Sequence, residues 1–161
     1  MSPSANPPPA AARSAARLAS VQALYQMDLA GTDLNDVLRE FATYRFQGEE
    51  ADDNAVKPDA TFFKEIVRGV VQRQLDIDPV VDQQLAQGWR LVRVDSTLRA
   101  ILRAALFELI ERPDVPVKVV INEYIDVAHA FFGEDEPRVV NGILHHLAGR
   151  YRADELKPAE K

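Results

Sequence analysis

Apolar residues recur every three or four positions along most of the chain, which is the period of an amphipathic α-helix. The pattern begins in residues 11–30, which are rich in helix formers and precede Gly31. A second helix, capped by Thr32 or Asp33, is predicted to run to about residue 46. The apolar positions of the two helices are Leu18, Val21, Leu24, Tyr25 and Leu29, then Leu34, Val37, Leu38, Phe41 and Tyr44.

Two further helices are predicted between residues 60 and 88. The apolar positions of the third are Phe62, Phe63, Ile66, Val67, Val70, Val71 and Leu75. The pair Asp78-Pro79 begins a fourth helix that ends at Gly88, because proline is favoured in the first turn. Residues 89–94 form a short connector.

The next helix is apolar on almost every side. Asp95 or Ser96 caps it, and among residues 98–110 only Arg99, Arg103 and Glu108 are not apolar. Such a helix is predicted to be central and packed on several sides. Pro113 ends it.

Two more helices complete the predicted fold. The first begins at Asp114 with Pro116 and is closed by Gly133 as a glycine cap. The last runs from about residue 136 or 137 to residue 148 and ends at Gly149. The pair Asn141-Gly142 inside it is more typical of a close helix crossing than of a binding feature.

A strand is the alternative for the β-branched residues 115–121, but no second strand or hairpin signal exists to pair with it. The predicted fold is therefore all-α, with about seven helices. Residues 11–150 form its helical domain. Residues 1–10, with four prolines, are predicted to be a disordered arm, residues 47–59 an acidic surface loop, and residues 151–161 a frayed polar tail.

The composition is that of a globular protein, with 47% hydrophobic and 27% charged residues. The absence of cysteine excludes disulfides and thiolate chemistry and fits a reducing cytoplasm. Neither an export signal nor a membrane span is indicated, since no window approaches 18 uncharged apolar residues. The net charge of −6 argues against indiscriminate coating of nucleic acid.

No catalytic or metal-binding motif stands out. The neighbouring His145 and His146 point about 100° apart on a helix, unlike the i, i+4 spacing of paired metal ligands, and His129 is isolated. The acidic loop lacks the glycine and ligand alternation of a calcium site, so a solvated loop is the preferred interpretation. We therefore expect no metal, no cofactor and no enzymatic activity.

Positive charge is concentrated near the beginning of the chain. The first 27 residues contain Arg13 and Arg17 and no acid, so their side chains carry +2 and leave −8 for the remainder. The two arginines share one face at the helix end whose dipole favours anions. They are either solvated residues or a site for an external anion. A second local excess of positive charge comprises Arg90, Arg93, Arg99 and Arg103.

Several segments together resemble the NusB family of bacterial transcription antitermination factors. The most specific are DVPVKVVINEYIDVA at residues 114–128 and FGEDEPRVVNG at residues 132–142. ARSAARLASVQALYQMDLAG, at residues 12–31, adds to them, and the resemblance covers residues 11–150.

The resemblance implies two stacked helical bundles and a non-enzymatic role in transcription. Such factors bind the boxA element of ribosomal RNA leaders with the ribosomal protein that acts as NusE, and join RNA polymerase antitermination complexes. The RNA-binding residues that it implies are Arg13, Arg17, Asp135, Arg138 and Val139. The partner surface that it implies includes Tyr25 and Arg99.

Three of these assignments have alternatives. Asp135 either caps the last helix or accepts a hydrogen bond from a base edge, because its charge would repel phosphate. Tyr25 either contacts the partner or packs in the core. Relatives often have consecutive arginines where this chain has only Arg13 and Arg17, so we expect its RNA binding to depend strongly on the partner.

Two other functions remain open from the sequence. The chain could be a helical adaptor that binds no RNA, or a module related to the RNA-binding part of ribosomal RNA methyltransferases. A homodimer is also compatible with the several apolar stripes.

Overall fold

The computed structural model describes residues 9–46, 56–87 and 95–156. In these ranges the chain is helical apart from short turns and contains no strand, so the all-α prediction is confirmed and residues 117–121 are helical. The elements are α1 (Pro9–Ala30), α2 (Leu34–Glu40), a π-helical segment (Phe41–Phe46), α3 (Ala60–Gln72), α4 (Gln74–Leu85), α5 (Ser96–Glu111), α6 (Val117–Phe131), α7 (Asp135–Tyr151) and α8 (Ala153–Leu156).

The predictions for residues 1–8, most of the acidic loop, the connector and residues 157–161 lie outside the described residues. None of the helices in the described ranges is both long and apolar enough to cross a membrane.

The described residues up to Arg68 form one compact unit. Its core includes an aromatic cluster in which the ring of Phe63 stacks on Phe41 at 5.4 Å between centroids and meets Phe46 edge-on at 5.0 Å. Helix α1 begins at Pro9, inside the predicted arm, because proline is tolerated in a first turn. It ends as predicted at Gly31, whose φ of 66° is accessible to glycine.

Aspartates cap three of the helices. The Asp33 carboxylate accepts a hydrogen bond from the Asn35 amide at 3.2 Å, and that of Asp95 accepts one from Leu98 at 3.0 Å, which confirms both predicted caps. Asp59, which the sequence places in the acidic loop, caps α3 in the same way. Each cap satisfies an amide that the helix itself leaves unpaired.

The described residues from Gly69 onward form a second compact unit, in which α5 packs against α4, α6 and α7. Every residue from Leu98 to Leu109 except Arg99 is buried, so the central-helix prediction is confirmed. Two of its polar side chains are buried and have side-chain partners on neighbouring helices. Arg103 pairs with Asp78, and Glu108 accepts a hydrogen bond from Tyr124.

The predicted boundary between the third and fourth helices is wrong. The chain leaves α-helical geometry at Arg73 rather than at Asp78, and Pro79 lies inside α4. Because proline has no N–H, α4 lacks the hydrogen bond that residue 79 would otherwise donate to the carbonyl of Leu75. Leu75 is 91% exposed, so its assignment to the apolar stripe is also wrong.

The predicted glycine cap at Gly133 is wrong as well. Phe132 ends α6 in an extended conformation, and among the described glycines only Gly31 has a positive φ. The last helix also continues through Gly149 to Tyr151.

The structure corrects the frayed tail for residues 151–156. Arg152 is buried and donates hydrogen bonds to four carbonyl oxygens at the end of α5 and in the α5–α6 turn, while Glu155 pairs with it at 2.7 Å. The carbonyls belong to Glu108, Leu109, Arg112 and Val115. A helix end leaves carbonyls such as that of Leu109 without a helical partner, because Pro113 has no N–H, and the five donors of arginine suit this end.

Candidate nucleic-acid interface

Arg13 and Arg17 share one aromatic ring at the beginning of α1. Their guanidinium carbons lie 5.2 Å and 5.0 Å from the centroid of Phe62, a distance at which a cation is attracted to a ring. The Asp59 amide donates a 3.0 Å hydrogen bond to the Ala12 carbonyl, which ties the start of α3 to α1. This contact and the Asp59 cap place Phe62 against α1.

The two arginines differ in burial. Arg17 is only 2% exposed, whereas Arg13 is half-buried on the preceding turn. The expectation that both are surface cations is therefore wrong for Arg17, which packs within the first unit. The first turn of α1 holds no acidic residue, so the positive field around Arg13 has no local carboxylate on that turn to oppose it.

The second predicted RNA-binding set lies on the first turns of α7. Arg138 is exposed, whereas Val139 is buried and its side chain faces the core of the second unit. Asp135 is exposed and is the first residue of the helix. The N-cap is Glu134, without a side-chain hydrogen bond, so the predicted capping role of Asp135 is wrong. An acid at this position still interacts favourably with the helix dipole.

A pocket of about 390 Å³ adjoins Arg138 between the end of α6 and the start of α7. Its lining comprises Ile125, His129, Glu134, Pro137, Arg138 and Asn141. Sequence reasoning missed this pocket because it treated His129 as an ordinary surface or packing residue. Asn141 and Gly142 are both exposed, so their assignment to a close helix crossing is wrong.

The first unit also presents an exposed apolar pair one turn apart on α1. Tyr25 is 38% exposed and Leu29 is 61% exposed, which argues against the core-packing alternative for Tyr25. Between them, the Gln26 amide donates a 2.9 Å hydrogen bond to Glu40 and joins α1 to α2. Exposed tyrosines on a fixed helix suit a protein interface.

Arg99, the other residue assigned to the partner surface, lies in the second unit. Its guanidinium pairs with Asp82 at 2.9 Å, and a third of its side chain is exposed. Its charge is therefore already partly balanced. Within the described ranges, no group of three or more His, Asp or Glu side chains is arranged to hold a metal ion.

Comparisons with known proteins cover most of the chain. A sequence model of the NusB family matches residues 14–149. The transcription antitermination protein NusB of Bradyrhizobium sp. (strain BTAi1 / ATCC BAA-1182) is 53% identical over 91% of this chain and 86% of its own length. The transcription antitermination protein NusB of Allorhizobium ampelinum is 52% identical over 90% of this chain and 91% of its own length.

Solved structures share the fold. NusB of T. maritima superposes with a TM-score of 0.70 at 28% identity, over 89% of this chain and 95% of its own. A chain in a structure of antitermination factors NusB and NusE in complex with double-stranded RNA superposes with a TM-score of 0.65 at 23% identity, over 88% of this chain and 96% of its own. Since the family model matches residues 14–149 and both relatives are more than 50% identical over about 90% of the chain, the chain belongs to the NusB family.

Proposed function

We propose that this chain acts as a transcription antitermination factor. It binds the boxA element of ribosomal RNA leader transcripts together with the ribosomal protein that acts as NusE, and joins the RNA polymerase antitermination complex. It works in the cytoplasm by stoichiometric assembly rather than by catalysis. The names of its relatives support the antitermination role, and the related complex of NusB, NusE and RNA supports the choice of partners.

The observation that carries the RNA part of the proposal is the position of Arg13. Its guanidinium lies against Phe62 at the acid-free start of α1, in a chain whose overall charge is −6. A cation held on a ring loses less side-chain freedom when it meets a phosphate. Arg138 adds a second cation, which is exposed, on the first turns of α7.

The burial of Arg17 strengthens the expected dependence on a partner. One arginine that neutralises one phosphate of a single strand contributes a salt slope of only about −0.7. Arg13 and Arg138 together therefore supply little affinity. A basic ribosomal protein bound to this acidic chain would supply the missing charge, and the exposed Tyr25–Leu29 pair offers it an apolar contact.

Labelled boxA RNA titrated with and without the ribosomal protein tests the function. We expect weak binding by the chain alone, strong binding by the pair, and a clear preference for boxA over a scrambled RNA. Equal affinities with and without the ribosomal protein would refute the partner dependence. A pair that binds boxA and scrambled RNA equally would refute the function.

Arg13→Ala separates this function from an adaptor that binds no RNA. The variant should weaken RNA binding by the pair and make the salt slope less negative, while Tyr25→Ala should weaken capture of the ribosomal protein. Arg39→Ala, a solvated cation on α2, is the matched control and should change neither measurement. If the chain is instead an adaptor, the Arg13 substitution should leave RNA binding unchanged.

A further inference from the structure

We infer that the α6–α7 pocket receives one unpaired base of the bound RNA and that its side chains select guanine. The inference rests on the proposed function and deepens it, because it assigns base recognition to Arg138 together with Glu134, which the sequence left without a role. Its volume of about 390 Å³ lies within the range of about 300–1,000 Å³ that is typical of sites for small organic groups.

The pocket combines an apolar wall with polar groups that are not engaged elsewhere. Ile125 and the buried Pro137 provide apolar surface for the face of a ring. The polar lining side chains are exposed, and none of them takes part in the side-chain hydrogen bonds or salt bridges among the described residues. They are His129, Glu134, Arg138 and Asn141.

A base fits this lining better than a phosphate does. The Glu134 carboxylate lines the pocket, and Asp135 and Glu136 add two more acids in the first turn of α7. Carboxylates repel a phosphate, whereas a neutral base offers both donors and acceptors along its edges. Phosphate contact is accordingly left to Arg13.

Guanine is the base whose edges match both charged side chains. Its O6 and N7 atoms are adjacent acceptors, which an arginine such as Arg138 recognises in pairs. Its N1–H and 2-amino groups are adjacent donors, from which a carboxylate such as that of Glu134 accepts two hydrogen bonds. Although Glu134 and Arg138 are four residues apart, no salt bridge joins them, so both remain available to a ligand.

Inosine provides the decisive probe, because it is guanosine without the 2-amino group of the base. Each guanine of the boxA-containing leader RNA is replaced singly by inosine, and affinity is measured for the pair of this chain and the ribosomal protein. We expect one position to lose binding by about 10- to 100-fold, the worth of one hydrogen bond to a charged group. The same RNA set is then bound to Glu134→Ala, in which guanine and inosine should bind equally at that position, because the carboxylate that accepts from the 2-amino group is gone.

Glu136→Ala is the matched control, since Glu136 is an acid on the same turn that does not line the pocket. It should retain the full response to inosine. Glu134 makes no side-chain cap, so its substitution should leave the thermal midpoint unchanged, and that midpoint is measured for both variants.

Three results would overturn the inference. The first is that inosine lowers the affinity at no position, and the second is that the losses from inosine and from Glu134→Ala add independently. The third is that Glu134→Ala binds guanine RNA more tightly than the unchanged chain does. A pair that still prefers boxA in any of these cases would leave the proposed function standing. Failure to prefer boxA at all would instead remove the proposed function.

Discussion

The hydroxyl of Tyr124 on α6 donates a 2.6 Å hydrogen bond to Oε1 of Glu108, a carboxylate with no exposed surface on the central helix α5. Tyr124→Phe should therefore lower the free energy of unfolding by about 1–3 kcal/mol, the cost of removing a donor from a buried polar group. Urea denaturation measures it. Tyr25→Phe, at an exposed position, should change stability by less than about 0.5 kcal/mol. Equal effects of the two changes would contradict the importance of the buried bond.

Arg103 holds α4 against α5 through two hydrogen bonds to Asp78, at 2.7 Å and 2.9 Å. Arg103→Met should destabilise the protein by about 3 kcal/mol, the lower end for breaking a buried pair, because 18% of the Asp78 side chain remains exposed. The same change at Arg39, whose pair with Asp36 is solvated, should cost less than about 1 kcal/mol. Chemical denaturation curves of the two variants test the difference.

Gly69 lies where α3 approaches α5 too closely for a side chain. A Cβ at this position would clash with the ring of Phe107. Gly69→Ala should therefore destabilise the fold by about 1–3 kcal/mol as an overpacking change. Gly149→Ala is the control, because nothing lies within 4 Å of its added Cβ and alanine is the better helix former, so its midpoint should rise. A higher midpoint for Gly69→Ala would refute the close approach.

Arg152→Ala should remove the anchor that connects α8 to the α5–α6 turn. It deletes hydrogen bonds to four carbonyl oxygens and the ion pair that positions Glu155, whose carboxylate also accepts from the Val117 amide at 2.6 Å. We expect a loss of at least about 3 kcal/mol, together with faster amide exchange in α8 and at the start of α6. Arg150→Ala, two residues earlier and exposed, should leave the exchange rates at these amides unchanged.

Periodicity and capping predicted most of the helices. The central helix was identifiable because a long apolar run between a capping residue, Asp95, and a helix-ending residue, Pro113, is typical of a buried helix. The caps at Asp33 and Asp95 followed from the local chemistry of helix ends. The α3–α4 boundary failed because proline marks a helix start only on average, and the tolerance of Pro79 depended on the first turns of α4.

The candidate site was predictable only in part, since its geometry depends on contacts between distant segments. Nothing near Arg17 in the sequence indicates that its charge is buried beside the ring of Phe62. From the sequence alone, Arg13 and Arg17 look equivalent, because the difference between them depends on how α3 packs. His129 and Asn141 likewise acquire a shared role only when α6 and α7 converge at the pocket. The resemblance implied an RNA-binding role for Arg138, which is exposed, and that role stays a prediction.

The hydrogen bonds of Arg152 also bear on how the protein is made. The carbonyl of Leu109 leaves the ribosome 43 residues before the guanidinium that binds it. It has no helical partner in the interval, because the residue four positions on is Pro113, which has no N–H. The first unit precedes this delay, since units of a chain fold in the order of their synthesis. The second unit thus reaches its full stability only after α8 has emerged, so a nascent chain that pauses before residue 152 carries one finished and one unfinished half.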